Sequence, residues 1–443
     1  MVDFYISPSG LDTNPGTIDA PFKTYAAAEK RVPASGSARF LFDANGNHGP
    51  IYIKRDGLAG DPNIFDVYNG SYAHFEFDDA TTAVYTKGRK NIVYQNLWVK
   101  MRKRKTGFFV HGSDNITLRD CVVEEAGYGI DLGTTTAPSS NITLERVVVR
   151  NCWDVLGNRS QGLYALNIHG LKLLNCIFSR NGWKEGSPQH VFVQQNHNVY
   201  LAETNTNVEI RDCYLGEACS HGIQLRCGGI ISGCLFYFNP IHAFGQNDEA
   251  IFENNVLEGS RDLGHGTATI TDVKRGWGYD AEAAHNIVRN NLFINGGSDI
   301  SHSHALDVGA IERSTQPDAG TIVEGNRVYN WKVNAYRNLV NRPVDLADNR
   351  FQYTPNTLGS IPFLGDVDKR NWPNIPQIRD QLMKDYEPVN VGVVVKSKLE
   401  VLQNTTKAQI ETAQANLQSE MKTINDNFQA GISEINKFIE ENN

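Results

Sequence analysis

Apolar and polar positions alternate in short segments that recur along most of this chain of 443 residues. NITLRDCVV at 115–123 returns as NITLERVVV at 141–149 and as NVEIRDCYL at 207–215. In each copy the apolar side chains alternate with polar ones, which is the period of a β-strand. Glycine and asparagine separate the copies, and no stretch of this region has the spacing of an amphipathic helix. The pattern therefore predicts many short strands.

One position of the repeat can be aligned through nine copies, which follow one another at intervals of 21 to 37 residues. This position holds Leu97, Cys121, Val147, Cys176, Cys213, Cys234, Asn255, Asn291 and Asn326. Such spacing is typical of a stacked solenoid, in which coils about 4.8 Å apart bury a continuous core. A β-propeller blade is longer, at about 40 residues with four strands. The sequence predicts an all-β solenoid, a right-handed parallel β-helix over roughly 40–355, with ladders of equivalent residues along its axis.

The two ends of the chain have other patterns. Turn residues dominate 1–39 before a helical stretch at about 23–31, which predicts a cap over the unpaired edge of the first coil. Proline recurs through 356–395, which predicts a covering strap and linker.

The last segment, 396–443, carries an unbroken apolar stripe with spacings of 3, 4 and 4 residues. The stripe consists of Leu399, Leu402, Thr406, Ile410, Ala413, Leu417, Met421, Ile424, Phe428, Ile432, Ile435 and Ile439. An eleven-residue repeat of this kind predicts an α-helical coil that is straight or slightly right-handed. We expect this coil to hold an oligomer together.

Composition excludes several functional classes. A net charge of −8 argues against a general nucleic-acid binder. No window approaches the roughly 18 apolar residues of a membrane span, and no secretion leader is present, so a soluble chain without membrane insertion is expected. None of the seven cysteines forms a CxxC pair, so they are expected to be buried core thiols rather than a zinc site. No cofactor is required; DTN at 12–14 could ligate calcium, but a turn explains it better.

A second motif recurs where an outward face of the solenoid should lie. It reads YGIDL at 128–132, HNVYL at 197–201, HGIQLR at 221–226, IHAFGQND at 241–248 and SHALDV at 303–308. The predicted outward side chains are Asp131, Tyr200, Gln224, Arg226, Phe244, Gln246 and Asp307. His197, His221 and His242 are 24 and 21 residues apart, close to one coil each, so we expect them to stack as a column, with His304 in front of its own strand. Such a face would form a long shallow groove that suits a linear polymer.

Two reactions would use this groove. β-Elimination from a uronic-acid polymer needs a base beside the substrate carboxylate and a cation to neutralise it. We predict Tyr200 or His197 as base, His221 as partner acid or base, and Arg226 on the substrate carboxylate. The predicted substrate-binding residues are Gln224, His242, Gln246, Asp248, Trp277 and Tyr279, the last two on a loop overhanging the groove. Hydrolysis would use two carboxylates instead, with Glu203, Glu217, Glu249 and Asp307 as alternative acids.

Two resemblances extend these expectations. The opening YISPSGLDTNPGT, followed by PFKT, resembles the entry motif of many β-helix proteins that act on polysaccharides, including pectate-lyase-like enzymes. A β-helix tied into an oligomer by a terminal coil resembles bacteriophage tailspikes and depolymerase fibres.

The tailspike resemblance implies a homotrimer in the virion tail, assembled in the host cytoplasm and attached to tail or baseplate proteins. It implies an enzyme that binds and cleaves capsular polysaccharide or exopolysaccharide at the host cell surface. A non-catalytic glycan-binding adhesin on the same fold is the alternative, as is a bacterial lyase whose coil serves another assembly.

Overall fold

The computed structural model describes most of the chain. The described residues are 1–78, 81–102, 105–154, 158–184, 195–260, 276–283, 285–296, 303–308, 320–338, 344–351, 353, 355–388 and 407–441. They form two compact units, of which the first comprises 1–351 and 359–384, and the second 352–358 and 385–443. None of the described helices is long and apolar enough to cross a bilayer.

In these ranges the first unit consists of three parallel sheets. Sheet 1 contains β1 Val2–Ile6, β2 Ala38–Asp43, β4 Asn63–Tyr68, β7 Lys90–Gln95, β10 Asp114–Arg119, β13 Ser139–Glu145, β16 Ile168–Leu174, β19 Thr206–Arg211, β22 Gly229–Ser232, β25 Ala250–Glu253, β28 Ile287–Arg289, β31 Thr321–Glu324 and β34 Val344–Ala347. Sheet 2 contains β5 Ala73–Phe77, β8 Leu97–Met101, β11 Val122–Glu124, β14 Val148–Arg150, β17 Ile177–Ser179, β20 Tyr214–Gly216, β23 Leu235–Tyr237, β26 Val256–Glu258, β29 Leu292–Ile294, β32 Arg327–Tyr329 and β35 Arg350–Phe351. Sheet 3 contains β3 Ile51–Tyr52, β6 Val84–Lys87, β9 Thr106–His111, β12 Tyr128–Leu132, β15 Gln161–Ala165, β18 His197–Leu201, β21 His221–Leu225, β24 Ile241–Gly245, β27 Trp277–Ala281, β30 His304–Val308 and β33 Asn334–Asn338.

Consecutive strands from β4 onwards go to sheet 1, sheet 2 and sheet 3 in turn, so three strands make one coil. The copies of the repeat pair in register, with Ile116 opposite Ile142 and Leu118 opposite Leu144. The predicted parallel β-helix is confirmed. Its first strand, β1, pairs with β2 and lies ahead of the predicted start at residue 40.

Alternation along the strands builds the core, because every second side chain points into the coil. Ile116, Ile142 and Leu171 stack in register on three successive coils and are fully buried. Burying one such side chain contributes about 1.5–3 kcal/mol relative to leaving it in water. A single coil could not bury these faces, so the coils depend on stacking.

The aligned repeat position forms the predicted ladder. The backbone N–H of Cys176 donates to Sγ of Cys213 (3.3 Å), and that of Cys213 donates to Sγ of Cys234 (3.5 Å). Asparagine continues the ladder, with the N–H of Asn255 on Oδ1 of Asn291 at 3.0 Å and that of Asn291 on Oδ1 of Asn326 at 3.0 Å. All seven cysteines are buried, which confirms their place in the core.

The asparagines that recur in the repeat adopt the left-handed conformation near the starts of corresponding strands. Asn91, Asn115 and Asn141 have φ of 56°, 54° and 54° in successive coils of sheet 1. Asparagine tolerates this region better than other residues with a side chain. The repeat therefore keeps asparagine where the strand backbone takes a positive φ.

The N-terminal segment and residues 359–384 of the predicted strap belong to the first unit. Helix α1, Tyr25–Glu29, begins after Thr24, whose Oγ1 accepts from the N–H of Ala27 at 3.3 Å. The strap binds sheet 2 through Ser360, which donates to Glu258 at 2.7 Å, and through an ion pair between Asp366 and Arg180. Helix α2 spans Ile375–Asp385.

The second unit contains helix α3, Lys407–Glu441, which is 35 residues long. In the described chain the stripe residues Met421, Ile424 and Phe428 are exposed to 46%, 39% and 65%. Leu399, Leu402 and Thr406 lie outside the described residues. This helix lies within 396–443, and both the coiled coil and self-association stay predictions.

Candidate active site on sheet 3

Sheet 3 brings the histidines of two predicted motifs together. His197 on β18 and His221 on β21 lie on neighbouring coils, with Nδ1 of one 3.0 Å from Nδ1 of the other. Oγ of Ser220 is 2.9 Å from Nδ1 of His221. The two histidines lie one coil apart as predicted, and their rings meet edge to face at an angle of 80°.

Both histidines are nearly closed to solvent, with exposures of 2% for His197 and 3% for His221. Burial, with a smaller effect of His221, holds the pKa of His197 well below its usual range, so this ring is neutral at physiological pH. The ring of His197 stacks on that of Tyr200 at 5.6 Å between centroids. The ring of His197 therefore packs against that of Tyr200, and His221 contacts His197 in turn.

The expectation that His242 continues this column is wrong. β24 pairs with β21 so that Ile241 stands opposite His221. His242 is the next residue, is fully buried, and has Nδ1 3.2 Å from Nδ2 of Asn239. A shift of one residue along a strand moves a side chain to the other face, so His242 cannot contact a ligand in the groove.

Tyr200 and Arg226 form the polar contact that is open to solvent. NH1 of Arg226 donates to the phenolic oxygen of Tyr200 at 2.7 Å, and its NH2 lies 3.0 Å from Oε2 of Glu203. Arg226 and Glu203 line an open depression of about 400 Å³ together with Gln246 and Asn247. Within the described residues Nε of Arg226 is buried and has no hydrogen-bond partner. This cluster can bind an anion and hold a proton acceptor beside it.

The other predicted site residues lie on neighbouring strands of sheet 3 or in the turns beside them. Gln224 lies opposite Tyr200 in register and is half-buried. Asp248 and Glu249 follow β24; the first is nearly buried and the second is exposed, 3.9 Å from His285. Glu217 belongs to the turn between sheets 2 and 3, where its carbonyl accepts from Nε1 of Trp183 at 2.8 Å.

The segment predicted to overhang the groove is instead a strand of sheet 3. Trp277 and Tyr279 both belong to β27, because tryptophan, glycine and tyrosine here follow strand alternation. Tyr279 points inwards, is fully buried, and stacks on Phe252 at 4.1 Å. The prediction that it stacks on sugar is therefore wrong. Trp277 is half-buried, with its ring 4.9 Å from that of His304.

A carboxylate pair lies further along the same face. Asp280 of β27 stands opposite Asp307 of β30, and the two are 5% and 1% exposed. NH2 of Arg337 donates to Oδ2 of Asp307 at 2.5 Å and to Nδ1 of His304 at 2.7 Å. Burial is the main cause that raises the pKa of both carboxyls, to about 6 for Asp307. Asp307 was among the predicted acids, whereas Asp280 was not.

The sequence does contain a signal for Asp280. YGIDL, WGYDA and HALDV each carry aspartate in the fourth place, and Asp131, Asp280 and Asp307 occupy equivalent positions of sheet 3. The match of WGYDA to YGIDL and HALDV was overlooked because WGYDA was interpreted as part of a loop.

Two clusters of acidic residues contain side chains of the types that bind metal ions. Asp280, His304 and Asp307 offer ligand atoms within 4.8 Å of one another, but the guanidinium of Arg337 already bonds two of the three side chains and opposes a cation there. Near the N-terminus, Oδ1 of Asp12 accepts from the N–H of Thr24 at 2.8 Å, which is a turn contact. Neither cluster fits a cation well.

Comparisons with known proteins agree on the architecture. Residues 81–257 match the family model described as a right-handed beta helix region, so these coils form a right-handed parallel β-helix. No curated protein sequence matches the chain.

Solved structures of similar fold include three carbohydrate-active enzymes. GH136 lacto-N-biosidase from Eubacterium ramulus is 11% identical with a TM-score of 0.43, over 79% of this chain and 68% of that one. Pectate lyase Pel9A is 16% identical with a TM-score of 0.41, over 79% and 78%. Alginate lyase from Paenibacillus sp. str. FPU-7 is 8% identical with a TM-score of 0.42, over 79% and 99%. With TM-scores below 0.5 these likenesses carry no argument, and the reaction has to be argued from side chains.

Proposed function

We propose that this chain is a polysaccharide depolymerase, which binds a uronic-acid-containing glycan along sheet 3 and cleaves it by β-elimination. The observation that carries the proposal is the 2.7 Å contact between Arg226 and Tyr200 at the edge of an open depression. A guanidinium and a phenolic oxygen side by side are what elimination next to a carboxylate requires.

The first step is binding of the substrate carboxylate by Arg226, in exchange for Glu203. Arginine binds carboxylates through charge-assisted hydrogen bonds, and it also stabilises negative charge that develops on the substrate. The side chain of Glu203 is 60% exposed, so it can leave the ion pair at little cost.

The second step is proton transfer through Tyr200. In its phenolate form Tyr200 takes the proton from the carbon next to the carboxylate and becomes a phenol, while a C=C bond forms and the glycosidic C–O bond breaks. The leaving oxygen receives the proton back from Tyr200. His197 and His221 act as positioning residues, because the ring of His197 stacks on that of Tyr200 and Nδ1 of His221 lies 3.0 Å from Nδ1 of His197.

Substitution of the two reacting side chains tests this mechanism. Tyr200→Phe and Arg226→Gln should each slow the release of ultraviolet-absorbing unsaturated ends by about 10²-fold or more. Tyr85→Phe is the matched control, because Tyr85 is an outward tyrosine of β6 on the same sheet. Rates of both variants equal to that of the control would overturn the assignment.

We propose further that the protein is a homotrimeric bacteriophage tailspike, held together by α3, attached to tail or baseplate proteins, and acting on capsular polysaccharide or exopolysaccharide at the host surface. The support is the exposed apolar stripe of α3 in the described chain and the resemblance in architecture. Location of the protein in purified virions would test this part. If the polymer is bound without any fragment being released, the chain is an adhesin on the same fold.

A further inference from the structure

A second reactive centre lies on sheet 3, away from Tyr200 and Arg226. Asp280 and Asp307 face the same side on neighbouring coils, and a carboxylate oxygen of one lies within 4.8 Å of a carboxylate oxygen of the other. Their exposures of 5% and 1% place both carboxyl groups below the surface. Two carboxyls at this distance and depth are costly unless they have a task.

The hydrogen bonds of the pair are incomplete. Arg337 occupies Oδ2 of Asp307, whereas Oδ1 of Asp307 and Oδ1 of Asp280 have no hydrogen-bond partner in the described ranges of the chain. Buried polar atoms without partners are rare in native proteins, and each one calls for an explanation. Here both point to a group that is bound or transformed between the two aspartates.

The surroundings separate the charge states of the two carboxyls. Burial and the neighbouring Asp307 raise the pKa of Asp280 well above its ordinary value, which favours the protonated form of this carboxyl. Burial also raises the pKa of Asp307, to about 6, but Arg337 opposes this rise and favours the ionised form. One neutral acid beside one ionised carboxylate is the arrangement that splits a glycosidic bond.

We propose that Asp280 and Asp307 are the acid and the nucleophile of a glycoside hydrolase centre. Oδ1 of Asp307 attacks the anomeric carbon while Asp280 gives its proton to the leaving oxygen, so the glycosidic C–O bond breaks as the ester bond to Asp307 forms. Water then cleaves this ester and gives its proton to Asp280, which restores both carboxyls.

The separation of the carboxyl groups predicts the stereochemistry. Retaining glycosidases hold their two carboxyls about 5–5.5 Å apart, whereas inverting ones leave about 6.5–9.5 Å for a water molecule. Oxygens within 4.8 Å correspond to the short separation. The anomeric configuration should therefore be retained.

The centre acts on a glycosidic bond that needs no neighbouring carboxylate. Tyr200, Gln224, Phe244 and Asp280 follow one another in register, so three coil steps of about 4.8 Å, roughly 14 Å, separate Tyr200 from Asp280. One extended glycan can pass both sites. The inference rests on the proposed function only in placing a glycan along sheet 3.

The first test compares product ends on a panel of neutral and acidic polysaccharides. The intact protein should release reducing ends that lack ultraviolet absorbance, and Asp280→Asn and Asp307→Asn should each slow this release by about 10²-fold or more. Asp131→Asn is the matched control in the same position of β12. If both aspartate variants release reducing ends as fast as the control, the hydrolase centre is overturned. A loss of only the ultraviolet-absorbing ends in Tyr200→Phe would bear on the elimination site and not on this centre.

The second test needs no variant. Activated 2-deoxy-2-fluoro glycosides trap the ester of a retaining nucleophile, and mass spectrometry of the digested protein should find the sugar on the peptide that contains Asp307. A full panel of such glycosides that leaves the peptide unlabelled would overturn the assignment.

Discussion

At the scale of single residues, Glu203 controls the availability of Arg226. The 3.0 Å ion pair between them must open before Arg226 can bind a substrate carboxylate. Glu203→Gln removes the competing charge, and an exposed ion pair is worth about 0.2–1 kcal/mol. KM for an acidic glycan should therefore fall by up to about fivefold while kcat changes little.

Initial rates over a range of substrate concentration measure this effect. Glu249→Gln is the control, because Glu249 is exposed but lies near His285 instead of Arg226. An unchanged or raised KM in Glu203→Gln would show that Arg226 does not bind the substrate.

The aspartate pair makes stability depend on pH. A carboxyl whose pKa is raised on folding contributes fully below its unfolded pKa of about 4, and this contribution is lost as the pH rises through the folded pKa. For Asp307 that value is about 6, and that of Asp280 is raised well above 3.8. We therefore expect the free energy of unfolding to fall between about pH 4 and pH 7 by an amount that Asp280→Asn reduces.

Denaturant unfolding of Asp280→Asn and of the parent at several pH values checks this expectation. The depressed pKa of His197 acts in the opposite direction below its ordinary 6.5, so the difference between the two proteins is the informative quantity. Parallel curves for parent and variant would mean that Asp280 does not titrate as described.

The sequence predicted some of these residues and missed others for identifiable reasons. Strict spacing placed His197 beside His221, whereas His242 fell one residue out of register because the next coil is shorter. Tyr279 and Asp280 were assigned to a loop because the glycine and acidic residues beside them are typical of loops, although both belong to β27. The contact of Arg337 with Asp307 joins residues 30 positions apart in the sequence, so no local pattern predicts it.

At the scale of elements, the asparagine ladder stabilises the last coils. Nδ2 of Asn291 donates to Oδ1 of Asn326 at 2.9 Å and to the carbonyl of Phe252 at 2.9 Å. Asn291→Asp removes both donors and buries a charge, so the free energy of unfolding should fall by about 3 kcal/mol or more. Asn330→Asp, an exposed position, should cost little in the same urea titration, and similar losses for the two would contradict a ladder role.

The elements themselves were largely predictable. Period-two alternation and in-register repeats determine which faces are buried, so strands such as β10 and β13 follow directly from NITLRD and NITLER. The first strand, β1, was missed because it has no second copy in the repeat and is surrounded by turn residues. Elements that repeat along the chain could be predicted, whereas an element that occurs once, such as β1, could not.

At the scale of the whole molecule, α3 is expected to assemble the protein. Ile424→Asp with Phe428→Asp places charge on the stripe and should dissociate the oligomer in sedimentation at micromolar concentration. Thr423→Asp with Asn427→Asp adds the same charge at the same spacing outside the stripe and should not. A parent protein that already sediments as a monomer would contradict the coil.

The most direct test of the whole account is mass spectrometry of an acidic capsular polysaccharide after incubation with the intact protein. Elimination at Tyr200 and Arg226 predicts fragments whose new non-reducing ends are lighter by one water, and these ends should vanish with Arg226→Gln. A polymer that stays intact on the protein through long incubation, across a full panel of acidic capsules, would contradict the claim that sheet 3 carries a depolymerase.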